Sequence, residues 1–245
     1  MEVVEFIIKE KKRRPVALIG HKTGIDSITQ TADELGIEIV GIYDKYFYGN
    51  TSDWMGIPFI GDEEQIDPIA SKHLDFFISG SFSGVGNYQN PEHNGLAKRL
   101  KRIQIVREKE LALCNFINPS SYIHPTVKLG QGIMIADQCS IRGWTTIGDF
   151  TMIEHMVCTG HHSVIGENCV ISPSAFFSGH IHFGNNVYLG ANSTVVNGYP
   201  AQTMYVGDNV KIHAGAVVYK DVDANKTVTC VGRQMKNIDL DQQDD

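Results

Sequence analysis

Residues Val127 to Val195, written six at a time, read VKLGQG IMIADQ CSIRGW TTIGDF TMIEHM VCTGHH SVIGEN CVISPS AFFSGH IHFGNN VYLGAN STV. The third position is bulky and apolar in eleven of the twelve groups, and the first position holds a smaller residue. A period of six fits neither a helix of 3.6 residues per turn nor one ordinary strand. It predicts a β-helix of short strands and turns. Only Thr159 breaks the third-position rule, and Gly160-His161-His162 follows it directly.

Three groups of six make one triangular coil, so residues eighteen positions apart lie one above the other, about 4.8 Å apart. This spacing predicts that Gly179 lies over His161 and that His180 lies over His162. The regular run ends at Val195, and the next matching position is Val206. The extra residues, 200–204, form a loop that either shapes a binding groove or is an inert insertion.

The region before the repeat alternates apolar strands with helices. Predicted strands cover residues 16–20, 37–43, 75–79 and 113–117, and residues 57–62 lead to a short helix. Predicted helices cover residues 27–35 and a segment with Leu96, Leu100, Ile103 and Val106 on one face. This order implies a Rossmann-like, doubly wound parallel sheet with ligands at the carboxyl ends of its strands. We therefore expect a nucleotide-sugar-binding domain at 1–118, a β-helix domain at 119–236 and an acidic tail at 237–245.

The loop after the first strand is a candidate nucleotide site. It runs from Gly20 through His21 and Lys22 to Gly24, between a strand and a helix, so its backbone N–H groups are suited to face a phosphate. A plain tight turn is the alternative. Asp44, at the end of the second strand, is placed to accept from a ribose or base, or is a solvated loop acid.

Composition excludes several classes of protein. The 245 residues carry a net charge of −7, which argues against general nucleic-acid binding. An apolar run long enough to span a bilayer is missing, as is a secretory signal, so membrane insertion is not expected. Five cysteines without a CxxC pair argue for a reducing compartment without disulfides, and we expect a cytoplasmic protein.

Several motifs carry a resemblance to a known family. They are listed here in chain order: 16–20 (VALIG), 56–62 (GIPFIGD), 118–121 (NPSS), 161–167 (HHSVIGE), 178–179 (SG), 189–192 (LGAN) and 214–222 (AGAVVYKDV). Together they resemble the sugar acyltransferase family of the bacillosamine-pathway N-acetyltransferase and sialic acid O-acetyltransferase. The resemblance spans nearly the whole chain.

The resemblance implies a left-handed parallel β-helix, a homotrimer, acetyl-CoA as acyl donor and active sites in grooves between neighbouring helices. In the sugar N-acetyltransferase branch it implies a UDP- or dTDP-linked 4-amino-4,6-dideoxy sugar as acceptor, in surface-glycan synthesis. It assigns the acetyl-CoA contacts to Gly179, Ala191 and Gly215. A metal is not expected.

The family's catalytic histidine corresponds to His161, with His155 in the same phase one repeat earlier as the alternative base or a substrate contact. A histidine can take the proton of an attacking amine near neutral pH. The resemblance assigns Gly179 to the oxyanion of the tetrahedral intermediate. The family has a carboxylate after its catalytic histidine, whereas this chain has His162. A neutral imidazole can orient by hydrogen bonding only, and Glu154 or Glu167 is a candidate substitute.

Three other functions are compatible with the sequence. One is sugar O-acetylation. Another is a zinc enzyme resembling γ-type carbonic anhydrases, with His162 and His180 as ligands. The third, suggested by the missing carboxylate, is a non-catalytic protein that binds sugar nucleotides.

Overall fold

The computed structural model describes residues 13–20, 25–80, 95–196 and 198–230. The first domain contains the following elements: β1 (Val16–Ile19), α1 (Ile25–Leu35), β2 (Ile39–Tyr43), β3 (Asp53–Trp54), β4 (Ile57–Gly61), a 3₁₀ helix (Glu63–Gln65), β5 (Asp75–Ile78) and α2 (Gly95–Glu108). The sheet order is β3-β4-β2-β1-β5, and every pairing is parallel except that of β3 with β4. The predicted Rossmann-like sheet is confirmed.

The buried face of α2 differs from the predicted one. Leu100 is 40% exposed, whereas Arg99 and Arg102 are buried beside Ile103 and Val106. The prediction for Leu100 was wrong because an apolar periodicity cannot register buried arginines. Both guanidinium groups are buried here because the domain supplies acceptors for them.

The second domain is a coil of short parallel strands in three sheets. Face 1 consists of Tyr122–Ile123, Ser140–Ile141, Cys158–Thr159, Phe176–Phe177, Thr194–Val195 and Val217–Val218. Face 2 consists of Lys128–Leu129, Thr146–Ile147, Val164–Ile165, Ile181–Phe183 and Met204–Val206. Face 3 consists of Phe116–Ile117, Met134–Ile135, Met152–Ile153, Val170–Ile171, Tyr188–Leu189, Lys211–Ile212 and Thr227–Val228.

The repeat directs its third-position residues into the coil, as predicted. Ile135, Ile153 and Ile171 on face 3, together with their counterparts on the other faces, form one continuous buried core. Strands pair with the strand eighteen residues later, for example Thr146 with Val164. At the predicted insertion Phe183 pairs instead with Val206, so the extra residues bulge out and the register resumes. The predicted left-handed parallel β-helix is confirmed.

The two domains are joined along face 3. Its outward side chains Met134, Met152 and Val170 share a hydrophobic cluster with Ile28 and Ala32 of α1. Burial of these apolar side chains stabilises the interface by removing both surfaces from water. The first domain thus covers face 3 at Met134, Met152 and Val170.

Arg99 is a second link between the domains. Its guanidinium donates to the carbonyl oxygens of Ile78 (3.0 Å) and Gly80 (2.5 Å) at the end of β5. It also donates to Phe150 O (2.6 Å) and Asn168 Oδ1 (2.7 Å) at a corner of the β-helix. Burial, and then the charge of Arg102, lower the pKa of Arg99 to about 9.

An asparagine ladder continues from Arg99 along this corner. Asn168 donates to Asn186 (2.7 Å), Asn186 to Asn209 (3.0 Å) and Asn209 to Asn225 (2.9 Å). All four residues have positive φ, a conformation that asparagine tolerates better than most residues. The ladder therefore supplies hydrogen-bond partners for the asparagine side chains at this corner of successive coils.

The domain boundary lies slightly earlier than predicted. Leu113 still bridges Phe76 of the first sheet, but Phe116 already pairs with Met134 of the β-helix. The coil thus begins before the predicted boundary at residue 118, whereas the predicted end at 236 and the acidic tail lie outside the described residues. All five cysteines are free. Within the described ranges, every helix is too short or too polar to cross a membrane.

Candidate active site

A column of stacked rings follows one corner of the β-helix, between faces 1 and 2. The Trp144 and His162 ring centroids are 4.7 Å apart, with planes at 19°, and those of His162 and His180 are 5.0 Å apart, with planes at 15°. The three residues have φ values of 53–57°, so the corner conformation projects their side chains in the same way. The predicted stacking of His180 over His162 is confirmed, and Trp144 extends the column.

His161 lies beside this column, with its ring at 88° to those of both His162 and His180. The Nδ1 atoms of His161 and His162 are 2.9 Å apart, which is a hydrogen bond in which one imidazole donates and the other accepts. His162 therefore occupies the position of an orienting group for His161.

Gly179 lies against the His161 ring. A Cβ at residue 179 would be 3.0 Å from His161 Cε1 and 3.1 Å from its Nδ1, so only glycine leaves this side of the ring open. The N–H of His180 donates to the His161 carbonyl, whereas the N–H of Gly179 has no acceptor among the residues that the structure describes. A backbone donor is thus available next to the imidazole.

Thr159, the exception in the repeat, has a structural partner. Its side chain is buried, and its hydroxyl accepts the N–H of Arg142 at 3.0 Å. As a result, the strands Ser140–Ile141 and Cys158–Thr159 have only one residue pair in register, Ser140 with Cys158. A side-chain oxygen therefore completes the backbone ladder just before His161.

The two carboxylates considered as substitutes for the family acid lie elsewhere. Glu167 pairs with Arg107 at 2.5 Å, and Glu154 lies at a different corner, where burial raises its pKa and His155 opposes that effect. In the described part of the chain, neither hydrogen-bonds to His161. The prediction that one of them replaces the acid was wrong, since each is a third of a coil or more away.

His180 has a lowered pKa. Partial burial is the largest cause, followed by repulsion from His162 and then from His161. The neutral imidazole is therefore favoured at His180. His182, by contrast, is exposed and lies 5.6 Å from the Tyr205 ring, outside the column.

Three predicted contacts lie at another corner of the coil. Backbone hydrogen bonds from Ser174 to His155 and from Gly215 to Ala191 belong to one column, between faces 3 and 1. His161 and Gly179 lie in a different column. One protomer therefore does not bring His155, Ala191 or Gly215 to His161.

A buried arginine lies at the edge of the first sheet where nucleotide binding is predicted. Arg102 pairs with Asp44 (2.9 Å) and Glu63 (3.2 Å), and its guanidinium packs against Gly20, whose φ is +83°. Any side chain at residue 20 would overlap the guanidinium. Gly20 is therefore required for packing as well as for its conformation.

Asp44 is buried rather than open to a ligand. Its carboxylate accepts from Arg102 and from the N–H of Tyr46 at 3.0 Å. The alternative of a solvated loop acid was wrong, and its nucleotide role stays a prediction. His21 and Lys22 lie outside the described residues.

Sequence reasoning missed Trp144, Arg99 and Arg102. The eighteen-residue coil could have revealed Trp144, because Trp144 precedes His162 by eighteen residues and therefore lies next to it in the column. The two arginines are three residues apart on α2, interleaved with Ile103 and Val106, which is the spacing of a shared helix face. Their partners are distant in sequence and gave no signal.

Several solved structures are similar to this chain. PerB from Caulobacter crescentus, in complex with CoA and GDP-perosamine, is 22% identical over 87% of this chain and 92% of that chain, with a TM-score of 0.71. A histidine-to-asparagine mutant of perosamine N-acetyltransferase from the same organism, with the same ligands, is 20% identical over 87% and 92%, with a TM-score of 0.58. WeeI from Acinetobacter baumannii AYE is 18% identical over 87% and 95%, with a TM-score of 0.57.

Comparisons with protein-family models and with curated protein sequences found no match. The similar structures share the arrangement of a parallel-sheet domain followed by a β-helix. The resemblance to sugar acyltransferases is therefore confirmed at the level of the fold.

Proposed function

We propose that this protein is an acetyl-CoA-dependent N-acetyltransferase that acts on a nucleotide-linked 4-amino-4,6-dideoxy sugar. The observation that carries the proposal is the pairing of His161 with His162 beside the open face of Gly179. The fold, shared with a perosamine N-acetyltransferase, supports it. The reaction transfers an acetyl group from the thioester to the sugar amine.

His161 is the general base in this proposal. When its Nδ1–H donates to Nδ1 of His162, its Nε2 carries the lone pair and is available to the acceptor amine. His161 takes the proton that the amine loses on attack and returns it to the departing thiolate. His162 holds the ring in this tautomer without supplying a negative charge.

Gly179 is the proposed oxyanion donor. Its N–H is adjacent to His161 and has no acceptor in the described ranges, so it is suited to a developing negative charge. The missing side chain leaves room for the thioester beside the imidazole. The residues present therefore fit an acyl-CoA donor.

The acceptor's nucleotide is proposed to bind at the carboxyl edge of the first sheet, next to Gly20, His21 and Lys22. A UDP- or dTDP-linked sugar is the proposed acceptor. A GDP-linked sugar is the rival, because PerB is solved with GDP-perosamine. Both kinds of nucleotide belong in the test.

A homotrimer completes the proposed site. Ala191 and Gly215 lie at a different corner from His161, so acetyl-CoA can contact both sets only across two protomers. Face 1 supports such packing, because its outward residues carry no charge and several are exposed and apolar. These residues are Tyr122, Ser140, Cys158, Phe176, Thr194 and Val217.

The experiment measures thiol release from acetyl-CoA with UDP-, dTDP- and GDP-linked 4-amino sugars. Turnover with one of them, reduced about 10²–10⁴-fold in His161→Asn, is the expected result. His182→Asn is the matched control, because it changes an exposed histidine outside the column and should retain activity. Activity on a free sugar hydroxyl alone would assign the protein to O-acetylation, and the absence of all turnover would refute the proposal.

The shared site has its own test. His161→Asn and Gly215→Trp should each be inactive alone, and activity should return when the two variants are unfolded together and refolded as mixed oligomers. Failure of the mixture, with normal refolding of the wild type, would place the whole site within one protomer.

A further inference from the structure

Three imidazoles meet at the corner of the β-helix. One ring nitrogen from each of His161, His162 and His180 lies within 4.8 Å of the other two. His161 and His162 are exposed and His180 is half-buried, so solvent and solutes reach the cluster. Its three members are imidazoles alone, without a carboxylate or thiolate.

We propose that this cluster binds a zinc ion that inhibits the enzyme. Zinc prefers imidazole nitrogen at about 2.0–2.1 Å, and sites with three histidine ligands leave a fourth position for water. Ligand nitrogens around a tetrahedral zinc ion are about 3.3 Å apart, as follows from that bond length. The ion is an effector here, not the agent of acyl transfer.

The observed spacing is close to this requirement. The two Nδ1 atoms of His161 and His162 are 2.9 Å apart and need to separate only slightly. The third nitrogen, from His180, must approach by rotation of side chains that are exposed or half-buried. Stacking between Trp144 and His180 already holds the His162 ring, which limits the entropy lost on binding.

Inhibition rests on the proposed role of His161. Zinc bound at Nδ1 of His161 replaces the hydrogen bond to His162 that holds the ring in its reactive tautomer. The ion also places a positive charge on the imidazole, which makes its Nε2 less able to accept a proton. Acyl transfer should therefore fall as zinc binds, without loss of the fold.

The binding test uses zinc alone and does not depend on catalysis. Equilibrium dialysis of the full chain, in a Cys158→Ser/Cys230→Ser background that removes the two exposed thiols, should give one zinc ion per chain. His180→Gln should weaken binding at least about tenfold, because a ligand is lost. His182→Gln makes the same substitution two residues further along the chain, outside the cluster, and this variant should bind zinc as the parent does.

Cobalt gives a second measurement. Co²⁺ at this site should show the visible absorption of a tetrahedral nitrogen site, and His180→Gln should abolish it while circular dichroism stays the same. No stoichiometric binding by the parent, or equal binding by parent and His180→Gln, would overturn the proposal.

Inhibition is measured separately in the transferase assay, relative to the zinc-free rate of each variant. Zinc should inhibit the parent and His182→Gln at concentrations that leave His180→Gln active. Zinc binding without turnover under any condition would refute the proposed function but not the metal site. Equal inhibition of the parent, His182→Gln and His180→Gln by zinc would show that zinc does not inhibit through the histidine cluster, which would refute the proposal.

Discussion

Replacing Arg99 tests the link between the two domains. Arg99→Met keeps the aliphatic stem in its buried position but removes the guanidinium that bridges β5 and the β-helix. We expect a lower free energy of unfolding and weaker coupling between the domains.

The magnitude follows from the groups left behind. Four acceptors lose their donor: the carbonyl oxygens of Ile78, Gly80 and Phe150, and Oδ1 of Asn168. Each unsatisfied buried acceptor costs about 1–3 kcal/mol. Relief from burying a cation, whose cost is evident in the lowered pKa of Arg99, offsets part of this loss. We expect a net loss of about 3–5 kcal/mol, which is less than the sum for four unsatisfied acceptors because the variant no longer buries a cation.

The assay is urea denaturation followed by circular dichroism and tryptophan fluorescence. Trp54 lies in the first domain and Trp144 in the β-helix, so fluorescence reports on both. Arg107→Met is the matched control, because Arg107 lies on the same helix but its side chain is 53% exposed and pairs with Glu167 at 2.5 Å. An exposed pair of this kind contributes about 1 kcal/mol or less.

Unfolding of the two variants at the same urea concentration would contradict this role of Arg99. An Arg99→Met variant that keeps its stability while losing only activity would contradict it as well. In that event the bridge would carry no folding free energy, and the hydrophobic cluster on face 3 would hold the domains by itself.

Three further predictions concern single positions. Gly179→Ala should lower kcat about 100-fold at unchanged thermal stability, because the new Cβ displaces the His161 ring, and normal kcat would contradict the contact. Asp44→Asn should lower the free energy of unfolding by about 3 kcal/mol, measured in urea, since Arg102 loses a buried counter-charge; a higher KM for the sugar nucleotide at full stability would instead assign Asp44 to the ligand. The pKa of His180 is lowered by burial and by two neighbouring imidazoles, so the unfolded state binds its proton more readily. Stability should fall as pH drops below about 6.5, and an NMR titration midpoint at or above that value would refute this.

Much of the β-helix could be predicted because its geometry is local. The inward positions, the coil of eighteen residues and the stacking of Gly179 on His161 all depend on counting along one repeat. The same counting also separates Ala191 from His161, since the two are not a whole number of coils apart.

The first domain was less predictable at the residue level. Its strands and helices follow from apolar periodicity, and their order fixed the sheet class. Leu100 and Asp44 were misjudged because each depends on α2, which is remote from the strands that it covers. Periodicity reports which face is apolar, but it does not report a buried ion pair.

The sequence alone therefore determined the fold, the repeat register and the corner at which His161, His162 and His180 meet. Only the tertiary structure decided that His162 faces Nδ1 of His161, that both proposed carboxylates are too distant, and that Asp44 belongs to Arg102 fifty-eight positions away. The physical reason is the range of each interaction. A repeat sets backbone positions through neighbours in sequence, whereas hydrogen bonds and ion pairs depend on side-chain directions between segments that meet only in the folded chain.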